Sequence, residues 1–250
     1  MNNKKLTLRY DGSCYHGWQR QANAITVQQK IEEALFKIAK EEVTVIGCSR
    51  TDAGVHACEY VCNVHFHTSV PDEKMPYALN ALLPDDIAVV SCKEVPGDFH
   101  ARFDTVGKEY RYLVHNSPHK DPFLRHYAWH YPYALQVDLM QQAASQLVGT
   151  YDCSAFEAAG SDLKGSRVRT VHSCRLTREG ERLEFTIFAN GYLYHMVRIM
   201  MGTLLTIGTG KLPPDCIPTL IAGRDRRMAG PTAAPQGLYL SRVFYKEGIS

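Results

Sequence analysis

The feature that most constrains this chain is a switch of hydrophobic period, from two to about 3.6 and back, in both halves. Leu6, Leu8 and Tyr10 alternate with Thr7 and Arg9. That is the pattern of a half-buried strand, and Asp11 and Gly12 close it as a turn. Thr26 and Gln29 then form a capping-box pattern ahead of Val27, Ile31, Ala34, Leu35 and Ile38. The spacing predicts an amphipathic helix over 27–40. A short β-branched strand is expected at 43–46, and Cys58, Tyr60, Cys62, Val64 and Phe66 alternate as the next.

The second half repeats these ingredients without repeating the sequence. A strand is expected at 109–115. Asp138 and Gln141 suggest a second capping box before a helix carrying Met140, Ala143, Ala144 and Leu147. Leu183, Phe185, Ile187 and Ala189 alternate as a strand, a third helix follows from about Leu193, and 238–245 closes the chain as a strand. Strands and helices mixed in each half predict an α+β fold. Two α/β sub-domains are expected, 1–104 and 105–250. No stretch rich in Pro, Gly or Ser separates them, so they are expected to share one sheet.

Composition excludes some classes and selects none. The 250 residues are 45% apolar and 22% charged, ordinary for a globular protein, and the net charge is only +2. A nucleic-acid partner would need a local basic surface. The N-terminus lacks the apolar core of a signal peptide. The most apolar stretch, 192–207, is interrupted by His195 and Arg198, so no membrane span is expected. Eight scattered cysteines read most simply as reduced thiols, which points to the cytoplasm.

The most informative stretch is the expected loop Arg50, Thr51, Asp52, Ala53, Gly54, Val55 and His56. A cation, a hydroxyl, a carboxylate and an imidazole stand within seven positions. Gly54 permits a sharp turn, and Arg50 favours an ionised Asp52. Taken alone, a polar turn with an Arg–Asp surface pair is the commoner outcome.

Arg50 to Ala57 resembles the signature of the TruA-type tRNA pseudouridine synthases, and other stretches agree in the same order. Tyr10, Asp11 and Gly12 with Gly17, Trp18, Gln19, Arg20 and Gln21 resemble the family's opening. Phe99, His100, Ala101, Arg102 and Phe103, then Lys108, Glu109, Tyr110, Arg111 and Tyr112, resemble its central block. Met196, Val197, Arg198 and Gly202, then Pro235, Gln236, Gly237 and Leu238, resemble its closing blocks. The resemblance covers essentially the whole chain. Two positions depart from it: Ser49 stands where the family often has Gly, and the run from Tyr151 to Phe156 replaces a His-Asp-Phe-Ser-Phe-like run.

The resemblance implies a pseudouridine synthase fold with a mixed, largely antiparallel sheet and a central cleft. It implies isomerisation of uridine to pseudouridine in the anticodon stem-loop of tRNA, at positions 38, 39 and 40, by a cytoplasmic homodimer. The uracil is detached, rotated and rejoined through carbon, with no net redox change, so no cofactor and no metal are expected. Asp52 is the implied nucleophile, attacking either C6 or C1′. Tyr110 is the implied active-site tyrosine, stacking on the flipped base or aiding proton transfer. Arg198 is the implied active-site cation. Helical spacing agrees, since Met196, Val197, Met200, Met201, Leu204 and Leu205 form one stripe while Tyr194, Arg198 and Gly202 fall elsewhere. Arg50, Thr51, His56, Lys108 and Arg111 are expected to bind substrate. Leu238 either lines the uracil pocket or is plain strand core. Arg167 with Arg169, and Arg224 with Arg226 and Arg227, suit phosphates or a solvated face. Trp18 either braces RNA or anchors the first strand–helix connection.

Four other readings compete. Cys58, Cys62, His65 and His67 have metal-like spacing, but strand alternation points the cysteines and histidines to opposite faces. Lys211 in a near-match to a phosphate loop is followed by Leu212, where Ser or Thr is required. An RNA-binding module without catalysis would have no need of Asp52, Tyr110 and Arg198 together. A related synthase acting on ribosomal RNA would share all three.

Overall fold

The structure, a computed structural model, describes residues 2–246. In chain order the elements are β1 (Asn2–Tyr10), α1 (Val27–Ala39), β2 (Ile46–Gly47), β3 (His56–Phe66), α2 (Met75–Asn80), β4 (Ile87–Val95) and β5 (Thr105–His115). Then come β6 (Trp129–His130), α3 (Val137–Ser145), β7 (Gly149–Asp152), β8 (Val168–Glu179), β9 (Arg182–Ala189), α4 (Met196–Gly208), α5 (Cys216–Gly223) and β10 (Leu238–Tyr245). The α+β class expected from the two periods is the one observed. No helix among the described residues is long and apolar enough to cross a membrane.

The chain divides into two compact units. The first holds 2–106 together with 239–246, and the second is Gly107–Leu238. The closing strand, 239–245, belongs with the first unit. The reason is backbone pairing, because Tyr239 and Leu240 run parallel to His56 and Ala57 of β3.

In the first unit β1 lies between β3 and β4, antiparallel to both. Leu6 stands opposite Cys62 and Cys92, and Leu8 opposite Tyr60. The period-two residues of these strands therefore stack on one another, and Leu6, Leu8, Tyr60, Cys62, Val64 and Phe66 are fully buried. Burial of each side chain of this size stabilises by about 1.5–3 kcal/mol. Val27, Ile31, Ala34 and Leu35 form the buried face of α1. Thr26 accepts a hydrogen bond from Gln29 N–H at its start, and Lys40 ends it in the left-handed conformation. Lys4 is buried on β1 and bridges Asp72 and Glu94 at 2.7 and 2.8 Å, tying three segments together.

In the second unit β5, β9, β8 and β7 form an antiparallel run, with β6 parallel to β5. Leu183, Phe185, Ile187 and Ala189 point inward as the alternation predicts. Three boundaries differ from expectation. The strand expected at 43–46 is reduced to β2. Gln136, not Asp138, precedes α3 and gives no side-chain cap, which leaves Asp138 in the first turn. The third helix starts at Met196 rather than near Leu193, because His195 takes φ +59 and breaks the helical path. That conformation costs roughly 1–2 kcal/mol in a residue with a side chain.

Candidate active site

In the first unit the segment 48–55 leaves β2 and turns into β3. Val55 N–H bonds to Asp52 carbonyl at 3.2 Å, closing a turn in which Gly54 has φ +76. A residue with a Cβ would be strained there. Asp52 is half-buried at the start of this turn.

A second loop, 11–20, holds the Asp52 loop from beneath. Trp18 N–H donates to Thr51 carbonyl and Gly54 N–H to Tyr15 carbonyl, both at 3.2 Å. The approach is too close for side chains. A Cβ on Gly17, which has φ +83, would lie 2.2 Å from Thr51 oxygen, and one on Gly12 would lie 2.0 Å from Val55 oxygen. This accounts physically for the glycines at 12 and 17. Trp18 is buried and stacks on Tyr60 at 4.0 Å, so it is the anchor of this connection. Tyr60 hydroxyl in turn donates to Ser49 carbonyl.

Thr51 and His56 are both buried. Thr51 Oγ1 shares a 2.8 Å hydrogen bond with Tyr10 hydroxyl. The His56 ring stacks on Tyr239 at 4.6 Å. Its Nδ1 lies 3.1 Å from both Gly12 N and Asp11 Oδ1. A bare Nδ1 accepts from the Gly12 N–H, whereas a protonated one donates to Asp11. Both side chains thus lock the ends of the Asp52 turn. Arg50 is exposed beside it.

In the second unit, β5 alternation puts Lys108, Tyr110 and Tyr112 on one face and Arg111 on the other. Lys108 and Tyr110 are buried, and Arg111 is half-buried. The Tyr110 ring meets Tyr192 edge-on at 4.8 Å. Tyr192 hydroxyl donates to the carbonyls of Lys108 and Ile187, both at 2.9 Å. Burial, and secondarily Tyr110, pushes the Tyr192 hydroxyl well above the ordinary tyrosine value. Tyr192 is therefore a neutral brace for Tyr110, and sequence reasoning missed it. Its signal was slight: one of two tyrosines in the turn after β9.

Arg198 sits on α4, partly exposed, while nearly all its helical neighbours are buried. Its Nε donates to Ala233 carbonyl at 2.8 Å, and its own carbonyl accepts from Ala233 N–H at 3.1 Å. Gly202 is buried where the 230–231 backbone crosses the helix; a Cβ there would lie 1.7 Å from Pro231 oxygen. Thr203 Oγ1 accepts from Gly230 N–H at 2.9 Å. The next residues serve the same strap, since Tyr112 hydroxyl donates to Ala234 carbonyl at 2.5 Å. Burial pushes that hydroxyl up in pKa, with the Arg198 guanidinium opposing. The structure thus gathers Arg198, Tyr112 and the strap 230–234, and Leu238 follows, buried, at the start of β10.

The arginine clusters are more engaged than their spacing suggested. Arg167 pairs with Glu157 at 2.5 Å, and Arg227 with Asp225 at 2.7 Å. Arg224 lies 3.5 Å from Asp152. Arg226 turns inward and donates to Gly230 carbonyl at 2.9 Å and to Thr232 Oγ1 at 3.2 Å, reinforcing the strap. Of the metal-like set, Cys62 is fully buried, and burial raises its thiol pKa well above the usual value. Cys58 is half-buried, and His67 is exposed beyond the end of β3. All eight cysteines are free.

A family model described as tRNA pseudouridine synthase matches residues 7–104 and 143–246. Among similar proteins, tRNA pseudouridine synthase A of Thermoanaerobacter sp. (strain X514) is 47% identical over 245 residues, 98% of this chain and all of that one. The protein of the same description from Acetivibrio thermocellus is 48% identical over the same coverage. A solved archaeal box H/ACA Nop10–Cbf5 complex aligns with 81% of this chain and 44% of that chain at 14% identity and a TM-score of 0.38.

Proposed function

This chain belongs to the tRNA pseudouridine synthase family, whose members are isomerases, and from that premise we propose that it isomerises uridines 38, 39 and 40 in the anticodon stem-loop of tRNA with Asp52 as nucleophile. The reaction breaks the N1–C1′ glycosidic bond and forms a C5–C1′ bond. The C5 proton leaves and N1 gains one, so atoms balance without water, oxidant or reductant. Attack of Asp52 on C1′ or on C6 both satisfy this balance.

One observation carries the assignment of Asp52. Its turn is fixed from beneath by two backbone hydrogen bonds, two glycine close approaches and the buried Thr51 and His56 side chains. A carboxylate held this way loses little freedom on reaching the transition state, which is what positioned catalysis requires. Tyr110 supplies a ring braced by Tyr192 for stacking on the flipped base, and Arg198 a cation with its Nε already committed. Thr51 and His56 act on the substrate through the loop they lock, and Arg50 through its exposed charge. Lys108 is on the same face of β5 as Tyr110 and serves that side of the base. Arg111, on the opposite face, serves the RNA backbone, and Leu238 lines the uracil pocket. The enzyme works in the cytoplasm as a homodimer, one subunit orienting the tRNA that the other modifies.

The test is tritium release from tRNA labelled at uridine C5. We expect release by the wild type, and loss by at least three orders of magnitude in Asp52→Asn, with tRNA affinity within a few-fold. Release by the variant at the wild-type rate removes Asp52 from the chemistry. Loss of binding together with turnover makes it a structural residue.

A further inference from the structure

Between β5 and α3 the chain exposes a run of large apolar side chains. Phe123 is 84% exposed and Tyr133 65%, with Leu124 and Tyr127 also solvent-facing. Single exposed apolar residues need no explanation, but four within eleven positions do. The same segment is basic. From His119 to Tyr133 it carries Lys120 and Arg125, with histidines at 119, 126 and 130, against one carboxylate, Asp121. Asp121 is turned to its own backbone, accepting from Phe123 N–H at 2.8 Å.

The patch is built, not loose. Asn116 Nδ2 donates to the carbonyls of Tyr131 and Tyr133, both at 2.8 Å, and Tyr131 N–H donates to His115 carbonyl. Arg125 Nη1 bonds to Pro122 carbonyl at 2.7 Å, which fixes the turn behind Phe123. Tyr112, Trp129, Tyr131 and Tyr133 form an edge-to-face ladder with centroids 6.4, 5.6 and 5.4 Å apart. The ladder runs from a fully buried ring to an exposed one. Ordering these rings before any partner arrives lowers the entropic cost of binding.

Rigid exposed rings interleaved with cations are what unpaired nucleotides require, since every base has a face to stack and a phosphate to neutralise. We propose that segment 119–133 is a stacking surface for unpaired loop nucleotides of the substrate RNA, with Phe123 and Tyr133 as platforms and Lys120 and Arg125 on phosphates. The proposal rests on the tRNA reading above and adds to it a site beyond the target base. Trp129, a rung of that ladder, pairs with Val114 on β5, the strand that also carries Tyr110.

The experiment uses the intact protein and an anticodon stem-loop RNA carrying 2-aminopurine in its loop. Phe123→Ala/Tyr133→Ala is compared with wild type, with Arg125→Gln, and with Tyr77→Ala, an equally exposed aromatic of the first unit. We expect the double variant to weaken binding by about fivefold or more for each ring removed. Its 2-aminopurine quenching should fall, and KM should rise far more than kcat changes. Arg125→Gln should flatten the salt dependence by about one counterion, and Tyr77→Ala should match wild type. Binding and quenching within twofold of wild type in the double variant overturn the proposal. So does a halved light-scattering mass with unchanged RNA affinity, which assigns the patch to a second copy of the chain. Kd and quenching are read without turnover, so absence of tritium release would defeat the proposed chemistry and leave this surface standing.

Discussion

Gly17 shows how much of the candidate site is decided by a residue that carries no chemistry. It combines φ +83 with a backbone contact that a single methyl would bring to 2.2 Å from Thr51 oxygen. Both effects oppose any side chain. Gly17→Ala is expected to cost about 2–3 kcal/mol, read as a melting temperature lower by roughly 4–12 °C for a chain this size. Its turnover should fall at least tenfold in the folded fraction, because the displaced atoms are those that hold Asp52. Tritium release and a thermal melt on the same sample check both. A variant with wild-type kcat would show that the loop tolerates movement. Asp52 stood out in the sequence through the family resemblance of its loop, since its neighbours alone read as an ordinary polar turn. The role of Gly17 did not, because a glycine in a turn looks the same whether it faces water or the distant backbone of Thr51.

At the scale of elements, the β1–β4–α2 corner is tied by an ion triad. Burial pushes the Asp72 carboxyl up, but hydrogen bonds from Lys4 and from Glu94 N–H outweigh it, and the net shift is downward. A depressed carboxyl contributes stability that is present above the unfolded value of about 3.9 and lost as pH falls through the folded value. The denaturant midpoint should therefore drop on acidification below about pH 5. The drop should be smaller in Asp72→Asn, which starts from a lower midpoint at pH 7. Parallel acid profiles for the two proteins would remove Asp72 from the account. The helices were legible where the periodicity was clean, as in α1. The start of α4 was not, because the left-handed turn at His195 is a tertiary outcome. Arg198 did leave the apolar stripe as its spacing indicated, but Gly202 did not. It is buried under Pro231, a contact that no helical wheel displays.

The whole chain carries a net charge of only +2, which is little for a protein that must grip a polyanion. Phosphate contact depends on local cations, so affinity should fall at least tenfold between 50 and 200 mM salt despite that balance. A dimer would double the surface offered to one tRNA. Light scattering of the RNA-free protein is expected to give a mass near twice 28.1 kDa. A mass of one chain at micromolar concentration would mean that each subunit binds and modifies its tRNA alone.

The sequence by itself determined the class of fold, the strands β1, β3, β5, β9 and β10, and the candidate chemistry, while β4, β6, β7 and β8 carried no pattern clean enough to read. Period-two and period-3.6 patterns are local, and the seven residues around Asp52 stand together in the chain. Tertiary structure alone decided where the last strand belongs, since β10 pairs with β3 across more than 170 residues of sequence. It alone turned Thr51 and His56 into buried supports and bound Arg226 to the strap beside Arg198. The physical reason is common to all of these. A side chain's type fixes what it can bond, but burial and long-range backbone approach select which of those bonds it makes.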